Sequence, residues 1–222
     1  MDVRALAIDY DGTIAENGRT PAPAAAALAR VRASGRKLVL VTGRILVELR
    51  EVCPDVDRMF DAVVAENGAL LYLPGLGRTH PLGAAPEPAL LEALSRHRVE
   101  FKLGESIVAT LTPFAAAARA AIHEAGVPRI LEFNKGALML LPEGLSKGTG
   151  LLAALAALDV SPTEAVAIGD AENDHALLAA CGLGVAVADA VPALRARAQH
   201  VTRAPGSLGV IEFVEEYLLR AG

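Results

Sequence analysis

The sequence predicts an α/β protein whose core is a doubly wound, Rossmann-like parallel sheet, with a small α+β domain inserted into it. Two observations predict this fold. Short, continuously apolar runs alternate with helical stretches near both ends of the chain, as is typical of parallel strands covered on both faces. The middle of the chain breaks this alternation. A length of 222 residues suits a core domain with an insert.

The elements of the core follow from these apolar runs and from the Gly and Pro residues between them. Before the insert we expect strands at 5–8, 37–41 and 62–65, helices at 22–34 and from 44 to about 52, and a hairpin of 69–73 with 78–82. After the insert we expect helices at 147–158, 173–180, 191–198 and 208–219, and strands at 165–168, 183–187 and 199–202.

The insert has a different order of elements. We expect a helix at 88–98, strands at 99–102 and 106–111, a second helix at 113–125, and strands at 129–133 and 137–141. The last two strands pair naturally across Asn134-Lys135-Gly136. This αββαββ order can form its own antiparallel sheet. We therefore predict an inserted domain at 84–143 and a core made of 1–83 and 144–222.

Composition and charge exclude several kinds of partner and site. The formal net charge of −5 argues against a nucleic-acid or anionic-membrane partner. Cys53 and Cys181 lack the spacing of a metal site. An acid follows Met1 directly, and no uniformly apolar run reaches about 18 residues, so we expect neither a signal peptide nor a membrane span. We expect a cytoplasmic monomer or homodimer with a small-molecule partner.

Polar residues follow the apolar strands at the points where ligands bind. The carboxyl ends of parallel strands lie along one edge of a doubly wound sheet, and the binding crevice is there. We therefore expect these distant residues to converge on one site, with Lys147 at the start of the helix after the insert. The candidates are Asp9, Asp11, Thr42, Gly43, Lys147, Asp170, Asn173 and Asp174.

The chemistry of this set indicates phosphoryl transfer. The carboxyl groups of Asp9, Asp11 and Asp170 would repel one another unless a cation lay among them. Carboxylate oxygens suit Mg²⁺, which also accepts phosphate oxygens. Thr42, Lys147 and free backbone N–H groups supply donors for an anion. A carboxylate nucleophile, a second acid, a Mg²⁺ site and an anion cradle together favour a reaction through an aspartyl-phosphate.

Four short segments carry these residues: Asp9-Tyr10-Asp11-Gly12-Thr13, Val41-Thr42-Gly43-Arg44, Ser146-Lys147-Gly148 and Gly169-Asp170-Ala171-Glu172-Asn173-Asp174. In order and spacing they resemble the motifs of the haloacid dehalogenase superfamily of hydrolases. The insert is similar to the cap domain of its IIB (Cof-like) phosphatases, and the segment Glu66-Asn67-Gly68-Ala69 before the insert is also similar to that subgroup. The resemblance covers essentially the whole chain.

The resemblance implies a role for each matching residue. Asp9 would be the nucleophile, and Asp11 the acid and then the base. The phosphoryl group would be held by Thr42, Gly43, Lys147 and Asn173. Mg²⁺ would be held by Asp9, Asp170 and the backbone carbonyl of Asp11, with Asp174 as a ligand or a supporting residue. The residues with possible substrate contacts are Arg44, Glu66 and Asn67.

The same resemblance implies a small phosphorylated substrate, such as phosphoglycolate or a sugar phosphate, because the cap is short. Asp11 favours phosphate esters, since the dehalogenases of the superfamily lack this second aspartate. A sugar phosphomutase is the alternative, and a non-catalytic sensor on the same fold is a further one. The cap's own candidates are polar residues at strand ends and turns: Lys102, Glu105, Ser106, Asn134 and Lys135.

Overall fold

The structure is a computed structural model that describes residues 2–219. Within that range the strands form two sheets, one of eight strands and one of four. In chain order the strands are β1 (Ala5–Asp9), β2 (Lys37–Val41), β3 (Ala62–Ala65), β4 (Leu70–Leu73), β5 (Arg78–Pro81), β6 (Lys102–Leu103), β7 (Val108–Leu111), β8 (Arg129–Asn134), β9 (Ala137–Pro142), β10 (Ala165–Gly169), β11 (Leu183–Ala186) and β12 (His200–Val201).

The larger sheet has the order β12-β11-β10-β1-β2-β3-β4-β5. Its first six strands are parallel, and the β4–β5 hairpin adds two antiparallel strands at one edge. Strand β1 lies between β10 and β2, and all five of its residues are buried. A strand buried on both faces is expected to be apolar, as residues 5–8 are, and Asp9 is the exception at its carboxyl end. The prediction of a doubly wound α/β core is confirmed.

Helices flank this sheet. Helix α1 packs against β2 and α9, α6 against β2, β3 and β4, and α7 against β10 and β11. The last helix continues in π-helical form over Val214–Leu218. The helices are α1 (Ala22–Ala33), α2 (Leu46–Val52), α3 (Val56–Met59), α4 (Pro88–Arg96), α5 (Ala115–Ala125), α6 (Lys147–Ala157), α7 (His175–Ala179), α8 (Pro192–Arg195) and α9 (Gly206–Phe213).

The smaller sheet, of order β6-β7-β9-β8, is antiparallel and packs with α4 and α5 around its own apolar cluster. One strand prediction here is wrong: 99–102 is not a strand, and β6 covers only Lys102–Leu103. The Val99 N–H donates to the Leu94 carbonyl, and Arg98 has φ 55°. These residues therefore end α4 in the manner of a helix terminus.

The four-stranded unit lies over the carboxyl edge of the large sheet. An apolar cluster joins the two, with Ile45 and Ala69 from the core and Ile107, Met139 and Leu141 from the insert. We keep the division into a core of 1–83 with 144–222 and a cap of 84–143 as a proposal. Within residues 2–219, no helix has both the length and the apolar character needed to cross a membrane.

Candidate active site

Three neighbouring strands bring the predicted residues to one place. Strand β1 ends at Asp9, which pairs in register with Val41 of β2, while Ile8 pairs with Ile168 of β10. Thr42 follows β2, and Asp170 follows β10. Because adjacent parallel strands lie about 4.8 Å apart, their ends place these side chains around a single point.

Lys147 links two of the acids. Its Nζ lies 2.6 Å from Asp9 Oδ1 and 2.6 Å from Asp174 Oδ1, and all three side chains are buried. Burial opposes the charge of Lys147, but Asp174 and Asp9 outweigh it and raise its pKa above the usual range. Burial, and next the charge of Asp174, raises the pKa of Asp9, while Lys147 lowers it. The lysine therefore helps to keep the buried Asp9 ionised.

The position of Lys147 is set by the start of α6. The Ser146 hydroxyl accepts from the Thr149 N–H, and the Thr149 hydroxyl accepts from the Ser146 N–H. This reciprocal capping makes Lys147 the first residue of the helix. Gly68, with φ 103°, lies directly against this start of the helix. A side chain at residue 68 would not fit there, since its Cβ would lie 1.8 Å from the Ser146 carbonyl oxygen.

Asp174 holds the loop that carries Asp170. Its Oδ2 accepts the N–H groups of Asp170 and Ala171, each at 2.9 Å, while Oδ1 accepts from Lys147. Both carboxylate oxygens of Asp174 are thus engaged with the protein. Gly169 permits the close approach, because a Cβ there would lie 2.6 Å from Asp174 Cγ.

Thr13 also belongs to this cluster, although we assigned it no role from the sequence. Its buried hydroxyl lies 3.0 Å from Asp170 Oδ1 and 3.3 Å from Asp9 Oδ2. A hydroxyl has one proton to donate, so Thr13 can donate to only one of the two acids at a time. The sequence feature that could have indicated a role for Thr13 is its position in the first of the four motifs.

The acid cluster fits a hard divalent cation. Asp9, Asp170 and Asp174 each offer an oxygen within 4.8 Å of the others, and all three are buried. Two ammonium groups lie among them, since Lys147 contacts Asp9 and Asp174 and Lys135 contacts Asp170. Three carboxylates exceed these two positive charges, and clustered carboxylate oxygens are the ligands that Mg²⁺ prefers.

Asp11 lies at the open side of the cluster and is held by Arg44. Arg44 Nε lies 2.7 Å from Asp11 Oδ2, and Nη2 lies 2.8 Å from Oδ1. The Asp11 side chain is 41% exposed, against 5% for Asp9. The hydrogen bonding of Arg44 to the Asp11 carboxylate, which accepts, raises the pKa of Arg44. Tyr10 is buried away from both acids, with its hydroxyl donating to the Gly18 carbonyl at 3.0 Å.

The remaining anion-binding candidates form a polar layer beside Asp9. Thr42 Oγ1 accepts from the Arg44 N–H at 3.1 Å, and its carbonyl accepts from the Asn67 N–H. Asn173 Nδ2 donates to Asn67 Oδ1 at 2.9 Å. Asn173 Oδ1 is buried with no partner among the described residues. Gly43 follows Thr42 directly and lines the adjoining cavity.

Glu66 takes a different position from its neighbours. It is fully buried, and its two carboxylate oxygens accept the backbone N–H groups of Glu105 and Ser106 in the cap. The structure therefore places Glu66 against the cap backbone. It is not among the residues that line the cavity next to Asp9.

The cap lies over the core, and an open cavity of about 220 Å³ lies between them. Three of the residues that line this cavity could not be identified from the sequence: Glu48, Thr110 and Met139. An acid within a helix, or a residue within a strand, is not distinguished from the many such residues that have only a structural role. Lys135, from the β8–β9 turn, bonds to Asp170 Oδ2. The lining residues are Asp9, Asp11, Gly43, Arg44, Glu48, Ala109, Thr110, Asn134, Ala137, Leu138 and Met139.

Comparison with known proteins agrees with this geometry. A family model described as haloacid dehalogenase-like hydrolase matches residues 6–103 and 108–214. Curated relatives include the phosphoglycolate phosphatase of Methanothermobacter thermautotrophicus, 30% identical over 97% of this chain and 99% of that protein. The phosphoglycolate phosphatase of Aeropyrum pernix is 30% identical over 97% of this chain and 94% of that protein.

Solved structures share the fold. A subclass IIB sugar phosphatase superposes with a TM-score of 0.79 at 19% identity, covering 96% of this chain and 98% of that one. A Thermoplasma acidophilum protein superposes with a TM-score of 0.81 at 15% identity, covering 97% and 98%. The predicted resemblance to Cof-like phosphatases is confirmed. The chain belongs to the haloacid dehalogenase-like hydrolases.

Proposed function

We propose that the chain is a Mg²⁺-dependent phosphomonoesterase that acts through an aspartyl-phosphate on Asp9. The observation that carries the proposal is the setting of Asp9, a buried carboxylate at the end of β1 with Lys147 2.6 Å from one oxygen. The second acid, Asp11, lies two residues on and faces the same cavity. A nucleophile and a proton carrier beside one cavity are what phosphate-ester hydrolysis requires.

The reaction takes two displacements. An Asp9 carboxylate oxygen attacks phosphorus, the ester P–O bond breaks, and the departing alcohol takes the proton of Asp11. A water molecule then attacks the aspartyl-phosphate and gives a proton to Asp11. The bond between Asp9 and phosphorus breaks, phosphate leaves, and both acids return to their starting states.

The other residues of the site bind the phosphoryl group and Mg²⁺ or orient Asp170. Lys147, Thr42, the backbone at Gly43 and Asn173 hold the phosphoryl oxygens. The residues that would hold Mg²⁺ are Asp9, Asp170 and the backbone carbonyl of Asp11. When bound, the metal neutralises charge on the phosphoryl group. Because Asp174 Oδ2 accepts the backbone N–H groups of Asp170 and Ala171, we assign Asp174 to positioning Asp170.

The substrate in this proposal is a small phosphorylated metabolite. A cavity of about 220 Å³ suits a compact ester, and the relatives named above are phosphoglycolate phosphatases. Phosphoglycolate is therefore the first candidate, ahead of a sugar phosphate. Arg44 lines the cavity, and its guanidinium, which binds Asp11 through Nε and Nη2, is suited to donate also to a substrate carboxylate. The cytoplasmic location and the monomeric or dimeric state stay predictions.

The test is phosphate release from a panel of esters, with and without Mg²⁺, by the unaltered chain and by Asp9→Asn. We expect Mg²⁺-dependent release of phosphate, greatest for phosphoglycolate, and its loss in Asp9→Asn. Asp159→Asn is the matched control, since Asp159 is exposed and its φ of 54° is one that Asn adopts readily. Full activity in Asp9→Asn, or release from no ester, would refute the proposal. Isomerised sugar phosphate without released phosphate would favour a phosphomutase.

A further inference from the structure

We propose that Glu66 is a positioning residue that clasps the cap turn 104–107 to the core and forms the fixed point about which the cap opens. Glu66 Oε1 accepts the Glu105 N–H at 2.8 Å, and Oε2 accepts the Ser106 N–H at 2.9 Å. No Lys, Arg or His side chain in residues 2–219 forms an ion pair with it. A buried carboxylate needs compensating hydrogen bonds, and here the cap backbone provides them.

The local backbone is built for this contact. Glu66 and Asn67 have φ values of 55° and 54°, in the left-handed region that non-glycine residues seldom adopt. Such strain persists only where the surroundings hold it in place. On the cap side, a Cβ at Gly104 would lie 2.6 Å from the Glu66 carboxyl carbon. The turn can therefore reach the carboxylate only because residue 104 has no side chain.

Further buried bonds gather at the same end of the cap. Ser106 Oγ donates to the Gly83 carbonyl at 2.9 Å. Arg129, whose side chain is almost fully buried, donates from Nη2 to the carbonyls of Ala84 and Ala85 and from Nη1 to that of Ser106. The chain that enters the cap and the turn bound by Glu66 are thus tied together.

The other cap–core polar contacts are of a weaker kind. Lys135, 51% exposed, pairs with Asp170, and Lys102, 74% exposed, pairs with Glu48. Ion pairs whose lysine is half exposed or more are weakened by solvent screening, although Asp170 itself is buried, whereas buried hydrogen bonds to a charged group contribute more. A cap that opens would break the Lys135 and Lys102 contacts first and turn about the Glu66 end.

The clasp also adjoins the polar layer beside Asp9. Asn67, the next residue, donates its N–H to the Thr42 carbonyl and accepts from Asn173. Glu66 therefore fixes the distance between the cap and the residues proposed to hold phosphate. This inference goes beyond the proposed function, and only the kinetic test below rests on that function.

Hydrogen–deuterium exchange of the whole protein tests the clasp directly. Glu66→Gln keeps the shape but has one acceptor oxygen in place of two, and Gly104→Ala disturbs the contact from the cap side. We expect the amides of residues 105 and 106 to exchange about tenfold faster or more in both variants. In the control Glu105→Gln the exposed side chain changes but the backbone N–H that Glu66 accepts remains, so we expect the exchange of these amides to change far less than in the other two variants.

The exchange pattern decides the proposal. Acceleration confined to the turn and the neighbouring linker supports a pivot. Unchanged exchange in both variants would overturn it, and so would equal acceleration throughout α4 and α5, because that would indicate an unfolded cap. Circular dichroism and melting temperature identify a variant that has lost its fold, in which case the other variant supplies the result.

Kinetics give the second readout. For phosphoglycolate we expect kcat/KM to fall about tenfold in Glu66→Gln, through KM more than kcat, because the cap is less often seated. For a bulky aryl phosphate, which the closed cap excludes, we expect a smaller fall in kcat/KM. The ratio of kcat/KM for the aryl phosphate to kcat/KM for phosphoglycolate should therefore rise. An equal loss for both esters through kcat alone would overturn the pivot. An unaltered enzyme without phosphatase activity would refute the proposed function, and the exchange result alone would then decide the clasp.

Discussion

Replacing Lys147 by Met tests how the structure keeps buried acids together. Met has nearly the length of Lys, so the substitution removes the charge and keeps most of the packing. The change takes away two bonds of 2.6 Å, to Asp9 and to Asp174, in a site where all three side chains are buried. Both acids then lose the ammonium group that offsets their charge.

The size of the effect follows from this burial. Removing one member of a buried ion pair costs about 3–5 kcal/mol, because the remaining charge is left without compensation. Since domains of this kind are stable by about 5–15 kcal/mol, we expect Lys147→Met to remain folded at pH 7 but to lose a large fraction of its stability. Urea unfolding in EDTA and without substrate measures this loss free of ligand effects.

The loss should shrink on acidification. The pKa of Asp9 is already raised above its ordinary value of 3.8, and Lys147 lowers it, so removal of Lys147 raises it further. A carboxyl group with a raised folded pKa takes up a proton on folding, so stability falls as pH rises from the unfolded to the folded pKa. The variant is therefore penalised least at the acidic end of that window.

The matched control is Lys102→Met, because Lys102 pairs with Glu48 at the surface. We expect its urea midpoint to stay close to that of the unaltered protein. The reasoning is refuted if Lys147→Met unfolds at the same urea concentration as the unaltered protein at pH 7. It is also refuted if the loss does not shrink as the pH is lowered from neutrality.

Three further predictions concern the surroundings of Asp170. Thr13→Val removes the hydroxyl 3.0 Å from Asp170 Oδ1, so we expect kcat for phosphate release to fall about tenfold with an unchanged circular dichroism spectrum; full activity would contradict this. Gly12→Ala would put a Cβ 2.4 Å from Asp170 Oδ2 at φ 89°, and urea unfolding should show a loss of about 1–3 kcal/mol, whereas an unshifted midpoint would count against it. Lys135→Met removes a cation that bonds to Asp170, so calorimetry should show tighter Mg²⁺ binding, and weaker binding would exclude such competition.

Much of the fold and the position of the site could be predicted from the sequence. Residues 5–8 of β1 form a continuous apolar run, which is typical of a parallel strand buried on both faces. The places of Asp9, Thr42 and Asp170 then follow from the rule that parallel strands end along one edge. Lys147 follows from the third motif, since nothing in its own neighbourhood distinguishes it from a surface lysine.

The rest depends on contacts between segments far apart in the chain. Glu66 resembles a substrate-binding residue in the sequence, but left-handed backbone at 66 and 67 accompanies its contact with the cap. Lys135 lies in a turn of the insert, and only the placement of the cap over the core brings it to Asp170. Helix α8 is shorter than the predicted 191–198, which apolar pattern alone does not reveal.

The central position of β1 has a consequence for the synthesis of the chain. Strand β1 pairs with β2 on one side and with β10 on the other, and β10 begins only at Ala165. While the chain is being made, one side of β1 is therefore an unpaired, apolar edge until the insert and the start of the second core segment have been translated. Such edges recruit other chains, so a product truncated before Ala165 is expected to aggregate, and the same late pairing first brings Asp170 beside Asp9.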